Sequence, residues 1–180
     1  MFFNSKPDYI IYLMRSSLEI ATSKVSARLE LPEDVISNLE VLNPQKFSEL
    51  LSNFFITNNI NREKFMVVLD ESVIFHKEYS LPLSSNELTK IKGDFLAALP
   101  FDDRNRQMMS LSKKQTLMLV GVNNQLYAPI LNAADQTRNK IVSVSPSSLF
   151  GINSIQRLTK SLVQAILRQS SSARKVSFWQ

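Results

Sequence analysis

Few residues of this 180-residue chain have the types or spacing that chemistry requires. The lone histidine, His76, cannot supply a histidine metal site within one chain, and the absence of cysteine excludes thiolate ligands, disulfides and a cysteine nucleophile. Acidic pairs at 70–71 and 102–103 lie where turns are predicted, and adjacent acids usually point apart. Ser84 is explained by helix capping. We therefore expect no catalytic residue and no metal site.

Glycine is also scarce, with three in the whole chain. A Walker A loop needs two glycines followed by lysine and then serine or threonine, and a dinucleotide-binding turn needs three glycines close together. Gly93, Gly121 and Gly151 fit neither spacing. The composition thus argues against a self-contained nucleotide-binding enzyme, and we expect no bound cofactor.

The net charge of +5 is unevenly placed. After Asp135 the chain has seven basic residues and no acid. This asymmetry indicates an anionic partner, a membrane surface or nucleic acid, unless the charges only solvate a helix face. The candidate contact residues are Arg168, Arg174, Lys175 and Trp179. Because no signature of a known nucleic-acid-binding fold is present, nucleic acid is not expected as the partner.

Alternating strands and helices must position these residues. The apolar pattern predicts a meander over residues 9–31, and a hairpin in which residues 65–69 pair with residues 73–79. It also predicts helices over residues 44–57, 85–99, 126–134 and 155–168, strands over residues 35–42, 106–111, 115–122 and 140–144, and a loose end over residues 174–180. This alternation predicts an α/β domain, in the broader sense a mixed α+β domain, with a mixed sheet.

Capping signals mark two of the helices. Asn43 with Pro44 behind it is typical of a helix start, and Ser84 with Glu87 three residues later forms a capping box. Pro100 cannot continue the second helix.

The order of these motifs resembles a known family. A strand pair over residues 67–77 is followed by Leu81-Pro82, a capped helix containing Leu88, the terminator 99–101, and the apolar strand 116–122. This order is similar to the first half of the PilM proteins of type IV pilus assembly and to the cytoplasmic domain of GspL of type II secretion. Both are actin-like, ribonuclease H-like domains related to the division protein FtsA.

The resemblance extends over residues 9–152 and implies a division of the chain. A larger subdomain of the 1A type would comprise residues 1–32 with 104–170, and an inserted smaller subdomain of the 1C type would comprise residues 33–103. Residues 171–180 would form a basic flexible tail.

The chain departs from the family where nucleotide would bind. Members with ATPase character open with Ile-Asp-Ile-Gly-Ser-Ser, and the matching stretch here, residues 12–17, has Leu13 for the acid and Arg15 for the glycine. Leucine offers no oxygen to Mg²⁺, and the arginine Cβ disfavours a positive φ. The actin-like fold also closes on nucleotide with two halves, of which 180 residues supply about one. The resemblance therefore implies a non-catalytic scaffold, a pseudo-ATPase.

The resemblance also implies protein partners. In PilM-like proteins the groove between the 1A and 1C subdomains takes the N-terminal tail of the membrane protein PilN. By that resemblance, the partner-binding residues would be Leu81, Leu83, Leu88, Leu99 and Phe101. The expected partners are a PilN-like membrane protein or a secretion ATPase, and a homodimer is a further expectation.

A location follows from the same comparison. We expect a cytoplasmic module, peripheral to or tethered at the inner membrane through the basic C-terminal end, which would approach a transmembrane helix if the chain continues. Two alternatives stay open: an actin-like ATPase subunit completed by another chain, and a nucleic-acid-binding domain that uses that basic end.

Overall fold

The computed structural model describes residues 7–22, 26–37, 39–113, 115–152, 158–170 and 177–179. These residues form two compact units. Unit 1 consists of the described residues of Met1–Val73 and Gln125–Ala173, and unit 2 of those of Ile74–Asn124 and Arg174–Gln180. Strands and helices are mixed in the chain as predicted.

Most strands and helices lie close to their predicted positions. In chain order they are β1 (Tyr9–Leu13), β2 (Ser17–Ala21), β3 (Ser26–Glu30), β4 (Ile36–Ser37), β5 (Glu40–Val41), α1 (Pro44–Thr57), β6 (Lys64–Leu69), β7 (Phe75–Ser80), α2 (Ser85–Ala97), β8 (Arg106–Lys113), β9 (Thr116–Asn123), α3 (Ala128–Gln136), β10 (Lys140–Pro146), α4 (Lys160–Ser170) and β11 (Ser177–Trp179). One difference is that residues 35–42 form a hairpin of two very short strands instead of one strand.

A five-stranded mixed sheet forms the centre of unit 1, in the order β10-β6-β1-β2-β3. Strands β1, β2 and β3 make the predicted antiparallel meander, whereas β6 and β10 run parallel to β1. After Lys64, every residue of β6 is apolar and buried. This is the pattern of a central strand whose two faces are both covered.

Helix α1 packs on one face of this sheet, with α3 beside it. The helix begins at Pro44, and the Asn43 side chain accepts a hydrogen bond from the Lys46 N–H at 3.0 Å, which confirms the predicted cap. The ring of Phe55 packs against Phe65 of β6 with centroids 5.5 Å apart.

Helix α4 packs on the opposite face of the sheet. Side chains alternate along β1, so Tyr12 points away from the α1 face, and it joins Val163 and Ile166 of α4 in one buried cluster. Of the predicted apolar stripe, Leu158 and Ile166 are buried, but Ala165 is exposed, and Ile155 lies outside the described residues. Within the described ranges, no helix is both long and apolar enough to cross a membrane.

Unit 2 is an antiparallel sheet, β11-β8-β9-β7, with α2 packed on it. The predicted capping box opens α2: Ser84 Oγ accepts from the Glu87 N–H at 3.3 Å, and the Glu87 carboxylate accepts from the Ser84 N–H at 2.8 Å. Past the helix, Leu99 packs on Gly121 of β9 so closely that a methyl group at position 121 would overlap the leucine.

The predicted hairpin between residues 65–69 and 73–79 is wrong. Strand β6 pairs with β1 and β10 in unit 1, and β7 pairs with β9 in unit 2. Burial explains the difference, because the continuous apolar run of β6 needs neighbours on both sides. Five of the six residues of β7 are exposed, which suits an edge strand.

The division into two units also differs from the predicted one. The boundaries fall after Val73 and after Asn124, not after residues 32 and 103. Residues 33–73 stay in unit 1 because β6 is a central strand of its sheet, and residues 104–124 join unit 2 because β8 and β9 pair there. Within the predicted flexible tail, residues 177–179 form β11 beside β8, and the others lie outside the described residues.

Candidate functional site

The carboxyl ends of the parallel strands β1, β6 and β10 lie side by side in unit 1. In open α/β sheets this edge is where ligands commonly bind. Strand β1 ends at Leu13, which is 1% exposed and lies beside Leu69 of β6. Arg15 and Ser16 follow as an exposed two-residue turn, and neither has a positive φ. The hairpin therefore presents an apolar side chain and an ordinary backbone at the two predicted departures from the family.

A buried carboxylate, that of Asp70, lies at this edge and is already hydrogen-bonded. Asp70, directly after β6, is 2% exposed. The Tyr12 hydroxyl donates to Asp70 Oδ2 at 2.5 Å, and the Ser72 N–H donates to Oδ1 at 2.9 Å. Buried carboxylates need such donors, because an unpaired charge inside a protein is costly. These bonds give Asp70 a structural role that joins β1 to the end of β6.

A second buried carboxylate, Glu19 of β2, lies on the α4 face. Its Oε1 accepts from the Ser26 hydroxyl at 2.7 Å, and its Oε2 accepts from the Leu158 N–H at 3.1 Å. Glu19 thus ties the segment before α4 to the sheet. Sequence reasoning missed it because an acid between Leu18 and Ile20 fits an alternating strand with a solvated face.

The other candidate residues have structural roles or exposed positions. His76 is exposed on β7, and Ser84 caps α2 as predicted. The Asp103 carboxylate forms an ion pair with Arg106 at 2.7 Å, in the turn where the Asp102 carbonyl accepts two backbone N–H groups. No group of three or more acids or histidines within the described residues could hold a metal ion.

The predicted partner-binding residues lie in unit 2, at two depths. Leu81 and Leu83 follow β7 and are half-buried, as is Leu88 on α2. Leu99 and Phe101 are buried, at 3% and 7% exposure. The Phe101 ring makes an edge-on contact with Phe75, with centroids 5.4 Å apart. Leu99 and Phe101 therefore lie beneath the surface of unit 2, whereas the three half-buried leucines are partly exposed on it.

The surface around α2 is mostly polar. Nine of the thirteen residues of α2 are exposed, three are half-buried, and Phe95 is buried. The Ser84 hydroxyl and backbone N–H lower the pKa of the Glu87 carboxyl at the start of this helix. The helix therefore presents a charged surface next to the half-buried leucines.

The predicted basic contact residues are only partly described. Arg168 is exposed on α4, and the backbone of Trp179 pairs with Met108 as part of β11. Arg174 and Lys175 lie outside the described residues. The contact with a membrane or an anionic partner therefore stays a prediction.

Comparison with known proteins shows the fold. No family model matches the chain, and no curated protein matches it in sequence. Among solved structures, a chain of the PilM-PilN type IV pilus biogenesis complex matches with a TM-score of 0.56 and 11% identity, over 84% of this chain and 49% of that one. The cytoplasmic domain of EpsL, an inner-membrane component of the type II secretion system of Vibrio cholerae, matches with a TM-score of 0.50 and 14% identity, over 82% and 60%.

A third match is a protein from Bacteroides thetaiotaomicron with an actin-like ATPase fold and unknown function, with a TM-score of 0.44, 14% identity, and coverage of 81% and 55%. The predicted resemblance to PilM-like and GspL-like actin-like domains is confirmed at the level of the fold. The chain spans about half the length of the PilM-PilN chain that it matches.

Proposed function

We propose that the chain is a non-catalytic assembly module of a type IV pilus or type II secretion inner-membrane platform. It would work in the cytoplasm by binding segments of partner proteins. The fold that it shares with PilM and with the cytoplasmic domain of EpsL supports this assignment. The observation that carries it is the end of β1, where Leu13 is buried and Arg15 forms the turn.

The lack of catalysis follows from the chemistry of that turn. Mg²⁺ needs oxygen ligands, which Leu13 does not offer, and phosphate binding by a turn uses backbone N–H groups that glycine leaves accessible. The nearby carboxylate, Asp70, is engaged by Tyr12 and Ser72. Binding of a protein segment needs none of these groups, so an altered turn is compatible with a scaffold.

The proposed partner surface is formed by Leu81, Leu83 and Leu88 in unit 2, supported by the buried Leu99 and Phe101. Half-buried apolar side chains beside polar ones are typical of the small apolar centres of protein interfaces. The proposed partners are a PilN-like membrane protein or a secretion ATPase. Membrane proximity through the basic C-terminal end and homodimer formation are further parts of the proposal.

Titration calorimetry with ATP and Mg²⁺ tests the absence of nucleotide use. We expect no binding tighter than about 0.1 mM, which corresponds to roughly 5.5 kcal/mol. Tighter binding would overturn the scaffold proposal in favour of an ATPase subunit completed by another chain.

A second titration tests partner binding. The probe is a synthetic peptide that copies the cytoplasmic N-terminus of the PilN-type protein encoded in the same genome. We expect Leu83→Asp to weaken binding about tenfold or more, since it places a charge in an apolar contact. The matched control is Leu42→Asp in unit 1, where the native leucine is 56% exposed. Equal affinities for the two variants, or no binding to the parent chain, would contradict the proposed surface.

A further inference from the structure

Strand β7 is an open edge of the sheet in unit 2. In the order β11-β8-β9-β7 it has β9 on one side and, within the described residues, no strand on the other. Its pairing with β9 is regular over all six residues, without a bulge. Five of the six side chains are exposed, and Tyr79 is half-buried. Such a regular, uncovered edge is a template on which another strand can pair.

The register shows which backbone groups face outward. Beyond β7, the Leu81 N–H donates to the Gln115 carbonyl at 2.8 Å, so this opposed pair is a hydrogen-bonded one. Hydrogen-bonded pairs recur at every second residue of an antiparallel ladder. The groups that point away from β9 are therefore those of His76, Glu78 and Ser80. Three N–H groups and three carbonyls at this spacing can accept an added strand.

The charges on β7 restrict what can pair with it. Lys77 and Glu78 occupy the middle of the strand, are exposed, and point to opposite faces. The Lys77 Nζ stands 5.5 Å from the centroid of the Tyr79 ring on the same face. A lysine on an edge disfavours apolar strands. An acid directly opposite Lys77 and a base directly opposite Glu78 would instead each form a favourable cross-strand pair.

A second copy of the chain cannot provide that arrangement. Antiparallel pairing of two identical edges places the two-fold axis perpendicular to the sheet, so each side chain keeps its face. Residues directly opposite each other are then both even-numbered or both odd-numbered. Lys77 could face Phe75, Lys77 or Tyr79 of the other copy, but never Glu78. Charge complementarity therefore favours a different protein over a second copy.

We propose that β7 binds an extended, antiparallel segment of another protein whose central residues are a base followed by an acid. The base lies opposite Glu78 and the acid opposite Lys77. Apolar residues flank the acid on its own face, opposite Tyr79 and Phe75, the latter being 37% exposed. This inference rests on the proposed function, because it names one mode by which the module holds a partner.

A pair of peptides of identical composition tests the proposal. The probe is the acetylated, amidated hexapeptide Thr-Val-Lys-Glu-Thr-Val, and the control exchanges its two central residues to Glu-Lys. Both are titrated to about 1 mM into the ¹⁵N-labelled full chain, with binding followed by amide shifts. We expect the probe to shift the amides of His76, Glu78 and Ser80, and to bind about fivefold more tightly than the control, since two cross-strand pairs change sign.

A charge-exchanged chain provides the matched protein variant. Lys77→Glu with Glu78→Lys changes two exposed side chains and should reverse the preference, so that the former control peptide binds more tightly. Equal affinities, an unreversed preference, shifts outside β7, or no shift at all would each overturn the proposal. The proposal would also be overturned if the chain alone formed a dimer and the single change Lys77→Glu dissociated that dimer.

The two proposals can fail separately. If the PilN-type peptide binds but the two hexapeptides do not differ, the role of the β7 edge is refuted and the scaffold function stands. If ATP binds tightly while the hexapeptides differ as expected, the scaffold function is refuted and the edge still binds a strand.

Discussion

Replacement of Tyr12 by phenylalanine tests the account of the carboxyl edge of the unit 1 sheet. The change removes the hydroxyl that donates to Asp70 Oδ2 at 2.5 Å, between side chains that are 0% and 2% exposed. The phenylalanine ring fills the same space, so no cavity forms. A hydrogen bond to a charged group contributes about 1.5–3 kcal/mol, and an acceptor left without its donor in the interior adds to the loss.

We therefore expect Tyr12→Phe to lower the free energy of unfolding by about 2–3 kcal/mol. The loss should stay below that of an isolated buried charge, because the Ser72 N–H still donates to Oδ1 at 2.9 Å. Urea unfolding followed by circular dichroism measures the change, with the slope m checked for equality between the variants.

Tyr9→Phe is the matched control, at the other end of β1. The Tyr9 ring packs on Phe65 with centroids 5.3 Å apart, is only half-buried, and keeps that contact after the change. We expect an effect within about 0.5 kcal/mol. If Tyr12→Phe were as mild as this control, the bond from Tyr12 would not hold the Asp70 carboxylate, and the structural role of Asp70 would be refuted.

Two further regions give predictions on stability. The hydrogen bonds from Ser84 lower the pKa of the Glu87 carboxyl in the folded chain. The capping box therefore stabilises the fold fully at a pH above the pKa that Glu87 has in the unfolded chain. This contribution is lost as the pH falls through the lower pKa of the folded chain. The stability gap between the parent and Glu87→Ala should therefore narrow from about pH 5 to about pH 3 in urea titrations, and a constant gap would contradict the assignment. Gly121→Ala should destabilise the chain by about 1–3 kcal/mol because the methyl group overlaps Leu99. Gly93→Ala, where nothing lies near the added methyl, should stabilise α2 by about 0.5–1 kcal/mol, and equal melting temperatures for the two alanine variants would contradict this packing.

The helices and the meander could be predicted because their signals are local. At the start of α1 the Asn43 side chain accepts from the N–H three residues later, and at the start of α2 the Ser84 side chain does the same. The strands of the meander are joined by short connections, so each pairs with the next along the chain. In these segments the nearest partner in sequence is also the partner in space.

The buried carboxylates could not be predicted, because their partners are distant in sequence. Tyr12 and Asp70 are 58 residues apart, and Glu19 and the Leu158 N–H are 139 apart. The residues next to Asp70 in sequence are equally compatible with an acid exposed in a turn and with a buried acid that accepts a hydrogen bond from a tyrosine on another strand. The position of Leu13 and Arg15 at the turn between β1 and β2 could be predicted, because it depends only on the order of residues within one hairpin.

Strands β6 and β7 do not form the predicted hairpin, and this difference leaves β7 at the edge that we propose as a binding site. A turn-forming segment at residues 70–72 between two strand-like runs favours a hairpin locally, but the two runs differ in what they must bury. The continuous apolar run of β6 is stable only between two other strands, and those positions are taken by β1 and β10. Among the described strands β7 then pairs only with β9, so the backbone groups of His76, Glu78 and Ser80 point away from the sheet. The open edge thus arises from the competition between strands for the centre of a sheet, and no motif within residues 73–80 would have indicated it.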